Sequence, residues 1–271
     1  MHLLILEWKK IKTYRPFWVL IGLYLVLLPG FFLSFRNSNI IPEQFGGTKS
    51  LYMFPGIWEN FGYVGNWMSF FMLGFLAVLT ISNEYSNRTL RQNLITGLSR
   101  KDFFLSKCYF ITSLSLFATV YYAILSLIIG SLYTETVYMT KITEHLDMIP
   151  RYFIMCMGYT SIGLFLALWL RRSGIALFMY FSYGLFIEFI LRFGVHAKLL
   201  DNKSMLFYPI KAASDCAPLI VVKNFINAAK ASSSNSDSNL YLSTPEAMIT
   251  SAIYTCIFLW AAYYFLQKRD L

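Results

Sequence analysis

Six stretches of apolar residues, each about 20 residues long and nearly free of charge, dominate the sequence. A helix needs about 20 apolar residues, at roughly 1.5 Å each, to cross the hydrocarbon layer of a bilayer. The stretches therefore predict an all-α polytopic membrane protein with six transmembrane helices. The predicted spans cover residues 17–35, 63–82, 109–133, 148–170, 174–191 and 247–266.

The composition excludes the other classes of chain. Only 14% of the residues are charged and 57% are hydrophobic, whereas a soluble domain carries about a quarter charged residues. Four cysteines in 271 residues are too sparse for a disulfide scaffold. We expect one transmembrane domain over residues 1–271.

The basic residues predict the orientation of the spans, because cytoplasmic loops retain Lys and Arg. Thirteen of the 23 lie at the two termini and in the loops that follow spans two and four. This distribution predicts cytoplasmic N- and C-termini in a multi-pass protein of a bacterial inner or plasma membrane. It also accounts for the net charge of +9 without a nucleic-acid partner.

The segment before the first span, residues 1–16, has apolar side chains at helical spacing, Leu4, Trp8 and Ile11. This pattern predicts an amphipathic helix in the membrane interface, with lysines that reach anionic lipids. The alternative is a plain positive-inside anchor. The predicted anchor residues are Trp8, Lys9, Lys10 and Lys12.

The segment that joins spans two and three, residues 83–108, is predicted to form two helices separated by a tight turn. Leu90 and Leu94 share a helix face, and Gly97 fits a helix C-terminal cap. Ser99, with Asp102 three residues later, fits the N-terminal cap of the next helix. The pattern predicts an exposed basic docking surface.

This segment resembles the coupling region of permease subunits of the type-2 (exporter) family of ATP-binding-cassette (ABC) transporters. The resemblance extends to the amphipathic N-terminal helix, the six spans and a large external segment before the last span. The residues that carry it are Glu84, Thr89, Leu90, Arg91, Gly97, Leu98, Ser99, Arg100, Phe103 and Lys107.

The resemblance implies a permease that pairs with a second permease chain, identical or different, and with two copies of an ABC ATPase subunit. ATP and Mg would bind the ATPase and drive export of a drug, lipid or peptide. The alternative for any single residue of the coupling region is a positive-inside loop with a helix cap. The residues that the resemblance places at the ATPase interface are Glu84, Arg88, Arg91, Leu94, Arg100 and Phe103.

The chain itself is predicted to bind no nucleotide and to be no enzyme. The nearest approach to a P-loop, residues 46–50, has a threonine between its last glycine and its lysine. The three histidines are isolated in sequence, and we expect no metal site and no catalytic residue.

Glu188 is the only carboxylate predicted well inside a span, and Arg192 follows it by one helical turn. A structural ion pair is the favoured interpretation. The resemblance implies that spans two and five line the translocation path, which gives a second role for Glu188. The candidate path residues are Asn66, Ser69, Ser182, Tyr183 and Glu188.

The external segment, residues 192–246, contains apolar stretches broken by Pro209 and Pro218 and a polar tract at 232–239. It predicts short re-entrant or capping helices, with a surface loop as the alternative. Two other functions stay open at this point. One is a secondary transporter, and the other is an intramembrane enzyme that would use Glu188 and His196.

Overall fold

The computed structural model describes residues 2–37, 47–86, 92, 97, 99–135, 138–199, 204–219 and 241–268. Within these ranges the regular structure is helical and contains no strand. The helices are α1 His2–Lys12, α2 Arg15–Ser34, α3 Gly56–Ser86, α4 Arg100–Tyr133, α5 Met139–Thr143, α6 Met148–Leu170, α7 Ser173–His196, α8 Pro209–Asp215 and α9 Thr244–Lys268.

Six helical stretches are long and apolar enough to cross a membrane: α2, α3, α4, α5 with α6, α7 and α9. The predicted all-α polytopic fold with six spans is therefore confirmed. α3 and α4, with 31 and 34 residues, extend beyond the predicted spans, because segments of mixed polar and apolar residues continue each helix past its apolar stretch.

Local sequence signals set several helix ends. Pro16 lies in the first turn of α2, where a proline loses no helical hydrogen bond. Ser99 Oγ accepts the Asp102 N–H at 3.1 Å and caps α4, as the sequence predicts. α6 ends at Arg171, whose left-handed φ of 57° turns the chain, so that α7 begins two residues later.

α6 lies at the centre of the bundle and packs against α3, α4, α7 and α9. In the most apolar part of the span formed by α5 and α6, 67% of the residues are buried, whereas 17% are buried in the corresponding part of α7. The close packing uses small residues, as is usual where lipid replaces water and the hydrophobic effect no longer drives helices together. A Cβ atom on Gly163 would lie 2.9 Å from the Gly74 carbonyl oxygen of α3.

α3 and α7 pack through two reciprocal aromatic–glycine contacts, each beside a π-helical turn. The turns are Ser69–Leu73 in α3 and Tyr183–Ile187 in α7. The Phe70 ring covers Gly184, and the Tyr180 phenol covers Gly74. Tyr180 OH also donates a hydrogen bond to the Phe70 carbonyl at 3.0 Å. Single π turns often mark functional positions in helices.

We expect Gly74→Ala to destabilise the bundle, because the added methyl group would overlap the Tyr180 phenol. Such overpacking costs about 1–3 kcal/mol and should lower the melting temperature of the detergent-solubilised protein by several degrees. Gly22→Ala in α2 is the matched control, since no atom lies within 4 Å of its added Cβ. Equal melting temperatures of the two variants would contradict the packing described here.

Candidate functional site

Four charged side chains meet at one end of the bundle and form what we call the charge cluster: Glu7 of α1, Lys10 of α1, Glu84 of α3 and Lys107 of α4. Lys107 Nζ lies 2.6 Å from Glu7 Oε2 and also contacts Glu84 Oε1. Lys10 Nζ lies 3.3 Å from Glu7 and 3.5 Å from Glu84. The cluster has two charges of each sign, so it is neutral as a whole.

Three of the four side chains of the cluster are removed from solvent, and Lys10 is partly exposed. Lys107 is 0% exposed, Glu7 is 3% exposed and Glu84 is 6% exposed. Burial raises the pKa of the Glu7 carboxyl, but the positive charges of Lys107 and Lys10 outweigh it, and the net pKa lies below its ordinary value. The Glu7 carboxylate accepts a further hydrogen bond from Ser106 Oγ, at 3.1 Å from Oε1. Removing Lys107 would leave two carboxylates buried, which is costly, whereas neutralising Glu84 alone leaves Lys107 paired with Glu7.

A second contact joins this end of α4 to the last span. Arg100 donates to the carbonyl oxygens of Leu266 at 3.4 Å and Gln267 at 2.6 Å, in the last turn of α9. A cation at a helix C-terminus is favourable, because the carbonyl groups there carry negative partial charge. Side-chain contacts therefore fasten α1, α3, α4 and α9 to one another at what we call the α1 end of the bundle.

The cluster changes the interpretation of the predicted coupling residues. Glu84 and Phe103, at 6% and 1% exposure, are buried inside the bundle and present no docking surface in this structure. Glu84 is held by Lys107, and Phe103 lies beneath that ammonium group at 5.2 Å, so their prediction as direct interface residues stays a prediction that this conformation does not favour. The remaining predicted positions, Arg88, Arg91 and Leu94, lie outside the described residues.

The cluster also gives a second role to one predicted anchor residue, Lys10, whose side chain is 34% exposed. Lys10 points toward Glu7 and Glu84, whereas Trp8, Lys9 and Lys12 are exposed. The sequence analysis missed Glu7, although one signal was available. Glu7 shares a helix face with Ile11, which is 2% exposed, so an acidic residue stands on the apolar face of α1.

A cavity of about 230 Å³ lies at the opposite end, between α3, α6, α7 and α8. Asn66 and Glu188, two of the predicted path residues, both line it. Tyr159 OH donates to Asn66 Oδ1 at 2.5 Å, and Asn66 Nδ2 donates to the Ser214 carbonyl at 3.4 Å. The lining residues are Asn66, Trp67, Phe70, Tyr159, Gly184, Leu185, Glu188, Phe189, Arg192, Ile210, Lys211 and Ser214.

Glu188 caps α8. Its two carboxylate oxygens accept the backbone N–H groups of Ile210 at 2.9 Å and Lys211 at 2.7 Å. The predicted ion pair with Arg192 is not formed, because the carboxylate is held by these N–H groups and Arg192 Nε donates to the Met205 carbonyl at 3.1 Å. A carboxylate at a helix N-terminus is stabilised by the positive partial charge there.

The other predicted path residues lie elsewhere. Ser69 is fully buried and 3.0 Å from Tyr152 OH, in a contact between α3 and α6. Ser182 and Tyr183 belong to α7 but do not line the cavity. The structure therefore brings Asn66 and Glu188 together at the cavity, with the Tyr183 side chain beside Glu188, whereas Ser69 and Ser182 do not line it.

The segment before α9 is partly built into the bundle. α8 packs against α6 and α9, and Asp215 receives Lys211 Nζ at 2.6 Å and the Leu242 N–H at 3.1 Å. His196 is engaged by Ser204 Oγ at 2.6 Å and by Tyr208 OH at 3.4 Å, and the Glu188 carboxylate accepts N–H groups of α8. The polar tract at 232–239 lies outside the described residues.

A comparison with models of protein families matches this chain to a known family. The family is described as ABC-2 family transporter protein, and its model matches residues 3–188, which is more than half of the chain. The matched residues include the charge cluster and reach Glu188 of the cavity. A search of curated proteins finds no match.

We expect Lys107→Met to destabilise the protein severely, because it leaves Glu7 and Glu84 buried with only the half-buried Lys10. Removing one partner of a buried pair costs about 3–5 kcal/mol, which should appear as a large fall in melting temperature. Lys101→Met, on an exposed position of the same helix, is the control. Adding Glu84→Gln to Lys107→Met should recover part of the loss; a double variant no more stable than the single one would argue against the cluster.

Proposed function

This chain belongs to the ABC-2 family of transporter proteins and is a membrane permease subunit of an ABC transporter, and from this premise we propose how it works. Membership implies a partner ATPase. The function supported best is ATP-driven export, with the ATPase docked on the segment between α3 and α4. The observation that carries this proposal is the charge cluster, which holds both ends of that segment.

The proposed docking segment comprises residues 87–98 together with Arg100. Glu84 stands three residues before it, and Lys107 stands two turns into the helix that follows. Because these two side chains are paired, a force on the segment acts on α3 and α4 together. Arg88, Arg91, Leu94 and Arg100 are the residues that we propose to contact the ATPase, and Glu84 and Phe103 become positioning residues.

The cluster also offers a route into the membrane. α3 leads from Glu84 to its π turn at Ser69–Leu73, where Phe70 contacts Tyr180 of α7. The cavity with Asn66 and Glu188 adjoins the same turn, since Phe70 lines it. We therefore propose that ATPase closure displaces α3 against α7 and changes the cavity, which forms the part of the translocation path at the opposite end.

The complete transporter in this proposal contains two permease chains, identical or different, and two ATPase subunits. ATP and Mg bind the ATPase. The α1 end faces the cytoplasm, as the distribution of basic residues predicts, and export proceeds toward the cavity. A secondary transporter or an intramembrane enzyme has less support, because Glu188 is engaged in capping α8 and the chain belongs to a transporter family driven by a separate ATPase.

Docking and transmission can be separated by two variants. We expect Arg91→Glu to reduce copurification of the ATPase severalfold, because it reverses a charge on the proposed docking segment. Glu84→Gln should leave copurification intact but lower the substrate-stimulated ATPase rate of the reconstituted transporter, because it weakens the pair that links α3 to α4. Lys49→Glu, the same reversal at an exposed site of the opposite end, is the control.

Two results would refute the coupling proposal. One is full ATPase copurification and transport in Arg91→Glu. The other is a loss of copurification in Lys49→Glu that equals the loss in Arg91→Glu, since docking would then not depend on the segment between α3 and α4.

The proposed orientation predicts which exposed lysine positions a membrane-impermeant thiol reagent reaches. In intact cells, Lys49→Cys should be labelled, and Lys268→Cys should be labelled only after permeabilisation. Both positions are exposed, so burial does not account for a difference. Cys216 is unsuitable as a reporter because it is 0% exposed. Labelling of Lys268→Cys but not of Lys49→Cys in intact cells would contradict the proposed orientation and indicate the opposite one.

A further inference from the structure

A groove of about 490 Å³ runs along the outer face of the bundle at the α1 end, between α1, α2 and α4. Its walls are apolar, with buried residues between exposed aromatic rings: Trp8 is 54% exposed, Trp18 is 48% and Phe117 is 43%. In a membrane protein, such a face contacts lipid. The lining residues are Trp8, Phe17, Trp18, Ile21, Phe110, Ser113, Leu114 and Phe117.

The aromatic wall of this groove is held in place by its own contacts. The rings of Trp8, Phe17 and Trp18 meet edge to face, with centroid distances of 5.4 to 6.5 Å. Trp18 Nε1 donates to the Lys12 carbonyl at 3.0 Å, so the indole is tied to the turn between α1 and α2. Tryptophan with an apolar body and a bonded N–H is typical of the headgroup level of a bilayer.

Three exposed cations lie close in sequence to the groove tryptophans. Lys12 follows Trp8 by one turn of α1, and Arg15 precedes Trp18 by one turn of α2, so each shares a face with a groove tryptophan. Lys9 adjoins Trp8. All three are exposed, and no ion pair among the described residues engages them.

The neighbouring acidic residue is turned away from these cations. Glu7 lies in the charge cluster, where Lys107 and Lys10 neutralise it. The outer face of α1 therefore keeps its positive charge, while the inner face is neutral. An apolar groove beneath an uncompensated cationic rim is complementary to an amphiphile with an anionic head.

We propose that this groove binds one anionic phospholipid, with an acyl chain between Trp8, Trp18 and Phe117 and the phosphate at Lys12, Arg15 and Lys9. Because α1 also supplies Glu7 to the charge cluster, the bound lipid holds α1 in the position that brings Glu7 to Lys107. Anionic lipid should therefore stabilise the fold more than a zwitterionic lipid does. This inference concerns the resting structure and does not depend on the proposed transport mechanism.

The test is native mass spectrometry of the full-length protein in detergent, with added phosphatidylglycerol or phosphatidylcholine of the same acyl chains. Wild type should retain phosphatidylglycerol preferentially. The double variant Lys12→Gln with Arg15→Gln should lose this preference by about fivefold for each cation removed. Swapping the two residues, Lys12→Arg with Arg15→Lys, should keep it, and Lys268→Gln is the control for net charge.

A second pair of variants separates the groove from general surface attraction. Ser113→Trp fills the groove from an exposed position of α4 and should reduce retention of both lipids severalfold. Thr112→Trp adds the same bulk one residue earlier, at an exposed position that does not line the groove, and should have no effect. The melting temperature measured with phosphatidylglycerol should also fall in Ser113→Trp and stay unchanged in Thr112→Trp.

Two outcomes would overturn the proposal. One is undiminished preference for phosphatidylglycerol in the double glutamine variant. The other is equal retention in Ser113→Trp and Thr112→Trp, which would assign the preference to diffuse attraction between the basic face and anionic lipids.

Discussion

The fold at the α1 end depends on one buried ammonium group. Lys107 reaches two carboxylates on two other helices, and none of the three side chains has an exposed fraction above 8%. Charges this deep are stable only when each has its partner in place. The arrangement therefore permits only the position of α1 and the ends of α3 and α4 in which all partners meet. Helix packing alone tolerates small slides, whereas this cluster does not.

The other half of the bundle is held together by close packing between helices. Lipid is as apolar as the side chains, so helices associate through close contact rather than through escape from water. Gly74 and Gly184 admit the rings of Tyr180 and Phe70, and Gly163 lets α6 approach the backbone of α3. The bundle thus has a polar fastening at one end and a close-packed joint between α3 and α7 near its middle.

The sequence predicts what depends on neighbours in the chain. Apolar length identifies the six spans, and the Ser99 cap needs only Asp102, three residues away. Contacts between residues that are far apart in the sequence were not predicted. Glu7 and Lys107 are separated by 100 residues, and Glu188 accepts hydrogen bonds from the N–H groups of a helix more than 20 residues later. An i,i+4 partner for Glu188 was available in Arg192, but the backbone N–H groups of α8 occupy both carboxylate oxygens instead. Local spacing could not reveal that competitor.

The turn at Arg171 has a mechanical consequence. Because α6 ends there and α7 starts two residues later, the two helices share a short joint at the α1 end, and α6 is fixed at the centre of the bundle. A tilt of α7 about this joint would make the helix act as a lever. Glu188 lies about 22 Å along the lever from Ser173, so a tilt of about 10° would carry it sideways by about 4 Å. Small angular changes at the joint are thereby converted into displacements comparable to the width of a side chain at the cavity.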